Sequence, residues 1–280
     1  MLITDAQIHV WEVDRPGRPW PKPQRGEPQR PNGYYPEEAL RDMDAAGVDR
    51  AVIVPPVVAG ENNLTALEAA AKWPQRFAVM GRFDPDAPDA RERLQGWLKQ
   101  PHMLGIRMTF RFVPGVEQLD DGSLDWFWAA CEELGIPLMM FLPGMAEKAD
   151  PIAERHPGLT LVLDHMARRL ETRVEETFAD LDVLLRLAAR PRVFVKVSSV
   201  RNFSAEPYPH RDIHPYLRRI YDAFGPRRLF WGSDITRLRG SYRDCLRLFQ
   251  EGLDFLSAED RELILGKALA EALNWPESDG

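Results

Sequence analysis

The chain has 280 residues, 44% of them hydrophobic and 28% charged, with 36 Lys plus Arg against 43 Asp plus Glu and a formal net charge of −7. This composition excludes a disordered or fibrous chain, and the acidic balance excludes a general nucleic-acid binder, which needs a basic face for phosphates. The length suits one domain over 1–280, since α/β barrels commonly reach about 250 residues as one unit.

Residues 1–11 hold no basic stretch followed by a long apolar core, so no signal peptide is expected. Leu2–Ile8 opens the chain as a buried strand. Residues 14–36 break all regularity: their many prolines lock φ and remove donors, excluding helix and inner strand. Loops this long are usually functional or disordered. The segment therefore reads either as a lid carrying Trp20 and Tyr34 or Tyr35, or as a surface loop.

A steady rhythm follows. Helix Pro36–Ala46 leads to strand Arg50–Val54, helix Leu64–Trp73 to strand Phe77–Arg82, and helix Asp86–Lys99 to strand Leu104–Thr109. Helix Leu124–Leu134 precedes strand Pro137–Leu142, Met145–His156 precedes Leu159–Asp164, and Val174–Ala189 precedes Val193–Val197. Helix His210–Phe224, strand Leu229–Gly232 and helix Tyr242–Gln250 complete the series. Strands that are nearly all apolar suit a parallel sheet covered on both faces. Eight strand–helix cycles predict an α/β fold of the (β/α)8 TIM-barrel type, and Ser257–Leu273 adds a further helix expected on its outside. Neither Gly-x-Gly-x-x-Gly nor a phosphate-binding Gly-x-x-x-x-Gly-Lys motif is present, which removes the common nucleotide uses of an open sheet. No apolar run approaches the roughly 18–20 residues of a membrane span. Cys131 and Cys245 lack disulfide or zinc spacing, which with the missing signal peptide reads as a cytoplasmic protein.

Function is sought where barrel strands end, because that face carries the active site in this architecture. The first strand closes on Gln7-Ile8-His9, the sixth on Asp164-His165 and the eighth on Ser233-Asp234. Two histidines and a carboxylate from three strands suit a metal site or an acid–base site. Singly, each histidine could be a structural hydrogen-bonding residue, and Asp234 a helix N-cap. Arg107 on the fourth strand, with Arg111, Arg201 and Arg237 after strand ends, suits a carboxylated substrate, unless these arginines pair with surface acids. Lys196 points either inward or to a buried carboxylate. No Gly-x-Ser-x-Gly nucleophile motif is present.

Five motifs recur in order: Asp5-Ala6-Gln7-Ile8-His9-Val10-Trp11, Gly105-Ile106-Arg107, Leu163-Asp164-His165-Met166, Val195-Lys196-Val197-Ser198-Ser199 and Trp231-Gly232-Ser233-Asp234. As a set they resemble the amidohydrolase-related (amidohydrolase 2) family of the amidohydrolase superfamily, and most nearly its lactonase-like members. The resemblance implies a metal-dependent-hydrolase type barrel. Its members include lactonases of sugar-acid lactones or pyrone dicarboxylate, other hydrolases, and nonoxidative decarboxylases. Two departures stand out. Gln7 replaces the first member of the family's His-x-His or Glu-x-His pair, and a neutral amide is a poorer zinc ligand. Leu138–Leu142 supplies no histidine at the fifth strand, so a two-metal centre is not expected.

Two arrangements remain. Either no cofactor is used, or one divalent ion, zinc by preference, sits on His9, His165 and Asp234 with a water in the open position. The expected reaction is hydrolysis of a small carboxylated ester, a lactone first. Asp234 is the general base, His9 and His165 donate to the carbonyl oxygen, and Gln7 positions water or substrate. Arg107, with Arg111 or Arg201, holds the carboxylate, and Arg237 and Trp11 complete the substrate-binding set. The rival readings are a metal-dependent decarboxylase and a non-catalytic barrel that binds a small acid. The expected partner is a small anion, with neither nucleic acid nor membrane, and self-association is left open.

Overall fold

Short runs of Val, Ile, Leu, Met and Phe form strands because both faces of each are covered, one by the barrel interior and one by helices. In the computed structural model, which describes residues 1–22, 26–111, 115–169 and 173–275, they are β1 (Thr4–Ile8), β2 (Arg50–Ile53), β3 (Phe77–Gly81), β4 (Met103–Thr109), β5 (Leu138–Phe141), β6 (Leu161–Leu163), β7 (Val193–Ser198) and β8 (Leu229–Gly232). All neighbouring pairs are parallel and the order is β1 through β8, the topology of a (β/α)8 barrel.

The seam between β8 and β1 is sewn by backbone and side chains together. The Asp234 amide donates to the Gln7 carbonyl at 2.9 Å. The buried Asp5 carboxylate accepts from the amides of Gln7 and Ser233, at 2.8 and 3.0 Å, and from the Tyr242 hydroxyl at 2.7 Å. Burial still pushes the Asp5 carboxyl up to about 6, against these bonds. Gly232 is needed here, since a Cβ would stand 3.1 Å from Ser198 Cβ and 3.3 Å from Asp5 Oδ1.

Ala6, Val52, Met80, Met139, Val162 and Phe230 fill the barrel interior, while Ile53, Val79, Ile106, Met140 and Val195 face the helical layer. The C-terminal segment corrects one expectation. It is packed only in part on the outer layer, through Ile264 and Leu265: Leu263, Ala268, Leu269 and Leu273 join the interior cluster, and Trp275 lies under the Arg50 guanidinium, 4.2 Å away, where β2 begins. It thus plugs the end opposite the strand exits and keeps water from the apolar interior.

The expected helix Val174–Ala189 is broken into Val174–Thr177 and Leu181–Arg186. Buried Arg168 sits at the break, where it donates to the Thr177 carbonyl at 3.1 Å and pairs with Asp180. A short helix Val200–Phe203, not anticipated, follows β7. Among the described residues no helix is long and apolar enough to cross a membrane.

Candidate active site

Three local irregularities bring the strand-end residues together. On β1, Asp5 pairs with Ala51 but Ile8 with Ile53, so three steps match two on β2. This bulge leaves Ile8 in the outer layer and turns His9 into the mouth of the barrel, as bulges beside sites commonly do. After β6, β7 and β8 the chain turns through left-handed residues: His165 (φ 52°), Ser199 (φ 56°) and Asp234 (φ 52°). Each such conformation costs about 1–3 kcal/mol and persists only where its surroundings hold it. The Asp234 side chain caps no helix, which removes the N-cap reading.

The mouth is a cavity of about 320 Å³ lined by His9, Arg107, Arg111, His165, Asp234 and Arg237. Its far wall is Gly26 to Gln29 from the proline-rich segment, with Gln29 accepting a hydrogen bond from Thr236. His9 Nε2 lies 3.3 Å from Asp234 Oδ1, and His165 Nε2 lies 3.8 Å from Asp234 Oδ2. His9 Nδ1 is 2.6 Å from the Val54 carbonyl. A carbonyl only accepts, so Nδ1 carries the proton, and Nε2 is the nitrogen that the Gln7 amide nitrogen approaches at 3.4 Å. With Nδ1 held by the Val54 carbonyl, His9 addresses Asp234 through Nε2.

Beneath the cavity lies a charged layer. Asp164 pairs with Arg107 Nε at 3.0 Å and with Lys196 at 2.8 Å, and Lys196 donates to Gln7 Oε1 at 2.6 Å. Asp164 and Lys196 are fully buried and Arg107 is nearly so. Burial opposes ionisation of Asp164, but Lys196 and Arg107 outweigh it and hold the carboxyl below the usual range. The layer fixes Arg107, whose guanidinium also lies 5.2 Å over the Phe141 ring.

Other proposed contacts fall elsewhere. Gln7 is sealed beneath the cavity, between Lys196 and His9, and does not line it. Arg201 turns away and donates to the Ser204 carbonyl at 3.1 Å. Trp11 is buried against Tyr34, 6.3 Å between ring centres, because its backbone bridges to Tyr34 and draws the indole out of the mouth. Trp20 donates to the Glu12 carbonyl, and the Tyr34 hydroxyl to Asp42 at 2.8 Å. The proline-rich segment reaches the mouth with 26–29 and not with these aromatics. Sequence reasoning passed over Asp164, Ser198 and Ser199 as site residues, although their place in the motifs was a usable signal.

Burial pushes the His165 imidazole down to about 4, against the pull of Asp234 and Asp164. An unfolded histidine titrates near 6.5, so between pH 6.5 and 4 the unfolded chain binds the extra proton. The stability that this histidine contributes is therefore complete above pH 6.5 and lost on acidification toward pH 4. Asp5 acts in the opposite sense between about 4 and 6, and does so equally in a variant. His165→Gln should accordingly show a smaller drop in urea midpoint from pH 7 to pH 4.5 than the parent protein. An equal drop would refute the assignment.

The amidohydrolase superfamily is typically metal-dependent, and two imidazoles with one carboxylate are donors that zinc accepts. His9 Nε2 and His165 Nε2 stand 3.3 and 3.8 Å from different oxygens of Asp234, and among the described residues no group of three or more His, Cys, Asp and Glu side chains is arranged to hold an ion.

An amidohydrolase family model matches residues 4–272. An L-fucono-1,5-lactonase of Burkholderia ambifaria is 28% identical over 256 residues, which is 86% of this chain and 83% of that protein. A 4-sulfomuconolactone hydrolase of Hydrogenophaga intermedia is 27% identical over 235 residues, 80% of this chain and 74% of its own length. The crystal structure of an amidohydrolase from Burkholderia multivorans with bound zinc superposes with a TM-score of 0.83 at 25% identity, covering 99% of this chain and all of that one.

Proposed function

The chain belongs to the amidohydrolase family and is a hydrolase, and from that premise we propose that it opens the ring of a small carboxylated lactone with a water held between Asp234 and His9. One observation carries this reading. Asp234 Oδ1 is buried without a hydrogen-bond donor among the described residues, and it faces His9 Nε2 at 3.3 Å. A buried carboxylate oxygen left without a donor on a cavity wall calls for a water that donates to it.

Burial opposes ionisation of Asp234. The groups around it, His9 first and then His165 and Arg237, outweigh it and hold the carboxyl below the usual range. Asp234 is therefore an anion at neutral pH. Alone it is a weak base, but beside His9 it need not keep the proton: the two act as one acceptor. As the water oxygen bonds to the ring carbonyl carbon, the water proton passes to this pair. The carbonyl oxygen gains negative charge facing His165 and Arg107, which stabilise it more in the transition state than before it. The ring C–O bond then breaks, and the proton returns to the departing oxygen to give a hydroxy acid. Arg111 and Arg237, exposed at the rim, bind the substrate carboxylate. The names of the lactonase relatives support this reaction class.

The test is acid release from a panel of carboxylated and neutral lactones, using enzyme dialysed against a chelator. Acid release is expected from the carboxylated lactones and should survive the dialysis. Arg111→Ala should raise KM for them by about tenfold or more, as the loss of a charge-assisted pair does. Carbon dioxide release from an aromatic or unsaturated acid, with inert lactones, would establish the decarboxylase instead. Binding of small acids without turnover would leave a non-catalytic barrel.

A further inference from the structure

Two histidines flank one carboxylate, yet the reaction above asks opposite things of them: a lone pair at His9 Nε2 and a proton at His165 Nε2. We infer that Ser198 is the positioning residue that makes the difference, by donating its hydroxyl proton to His165 Nδ1 and so leaving the Nε2–H to face the cavity. What the Nε2–H does there rests on the lactone-opening reading; the tautomer itself does not.

Ser198 closes β7 and is fully buried, with its Oγ 2.7 Å from His165 Nδ1. That nitrogen is the only hydrogen-bond partner of Ser198 Oγ among the described residues. Neighbouring Ser199 has a different task. Its Oγ lies 3.2 Å from Nδ1 but donates its proton to Asp234 Oδ2, also at 3.2 Å.

The two neutral tautomers can now be weighed. With the proton on Nδ1, the Ser198 hydroxyl must accept, and its own proton is buried without an acceptor, a loss of about 1–3 kcal/mol. With the proton on Nε2 that fault vanishes: Ser198 donates to Nδ1, and the Nε2–H faces the cavity. Phe141 packs edge-on to the imidazole, 5.6 Å between centres, and steadies the ring.

The contrast with His9 is built from the backbone up. A carbonyl at Nδ1 holds the proton of His9 there, and a hydroxyl at Nδ1 leaves that of His165 on Nε2. One side-chain type thus supplies both halves of the chemistry through what anchors its far nitrogen.

The experiment uses the full chain labelled with 15N-histidine and long-range proton–nitrogen correlation spectra at pH 7, with the His165 signals assigned by their loss in His165→Gln. In the parent protein His165 should show a protonated Nε2 and a lone pair at Nδ1. Ser198→Ala, which removes a single oxygen atom, should give a mixture of tautomers, and kcat should fall by about tenfold or more at nearly constant KM. Ser199→Ala should keep the parent tautomer. A parent ring protonated at Nδ1, or a Ser198→Ala ring with the parent tautomer ratio, overturns the inference. If no lactone is opened by the parent, the functional reading fails, and the spectra still decide the role of Ser198.

Discussion

Asp234→Asn should fold as the parent does and open lactones about 10²–10⁴-fold more slowly, with KM little changed. The substitution is nearly isosteric, and the site would accommodate it well. An amide oxygen in place of Oδ2 still accepts from the Ser199 hydroxyl, and an amide nitrogen in place of Oδ1 donates to His9 Nε2. The structure would gain a hydrogen bond where the chain now has an unmatched buried oxygen. What disappears is the acceptor for the water proton, so the loss falls on kcat and not on substrate binding. Acid-release kinetics with a thermal melt check both halves. A variant with full kcat would remove Asp234 from the role of base, and one that fails to fold would show that its charge holds the barrel mouth together.

The second large effect is on stability. Asp164 is the countercharge of two cations taken out of water, Lys196 and Arg107. Asp164→Asn leaves the fully buried Lys196 beside a neutral amide, and breaking a buried pair from one side costs about 3–5 kcal/mol. For a chain of this size that lowers Tm by roughly 10 °C. Adding Lys196→Met in the same molecule should recover part of the loss, because the more deeply buried of the two stranded charges is gone. Urea unfolding of the two single variants and the double variant gives the coupling. If Asp164→Asn melted with the parent, the charged layer would not support the site. Activity should fall in Asp164→Asn and not return with Lys196→Met, since Arg107 Nε has lost the carboxylate that aims it.

Much of this was readable beforehand. Apolar runs at even spacing announced eight strands, and His9, His165 and Asp234 could be picked out because each follows such a run. Arg107 could be placed inside the barrel by alternation, since Ile106 and Met108 face the helices. The finer features were not readable. Gln7 looked like a wall residue, but the bulge on β1 and the Lys196 ammonium draw it beneath the cavity. Trp11 sat in a telling motif, yet its backbone pairing with Tyr34 carries it away from the mouth. The helix after β6 reads as continuous in the sequence, but it divides where Arg168 takes one of its carbonyls.

The order of residues alone determined the barrel and which chemical groups stand at its open end, because alternation and strand spacing are local and survive in a linear text. Which nitrogen of each histidine holds the proton, which carboxylate is free to act as base and which is bound up in ion pairs, and what closes the barrel's other end were decided only in three dimensions. Each depends on partners dozens to hundreds of positions away, such as Val54 for His9, Ser198 for His165, Lys196 for Asp164 and the C-terminal segment beneath β1. A hydrogen bond or an ion pair across such distances leaves no period in the sequence.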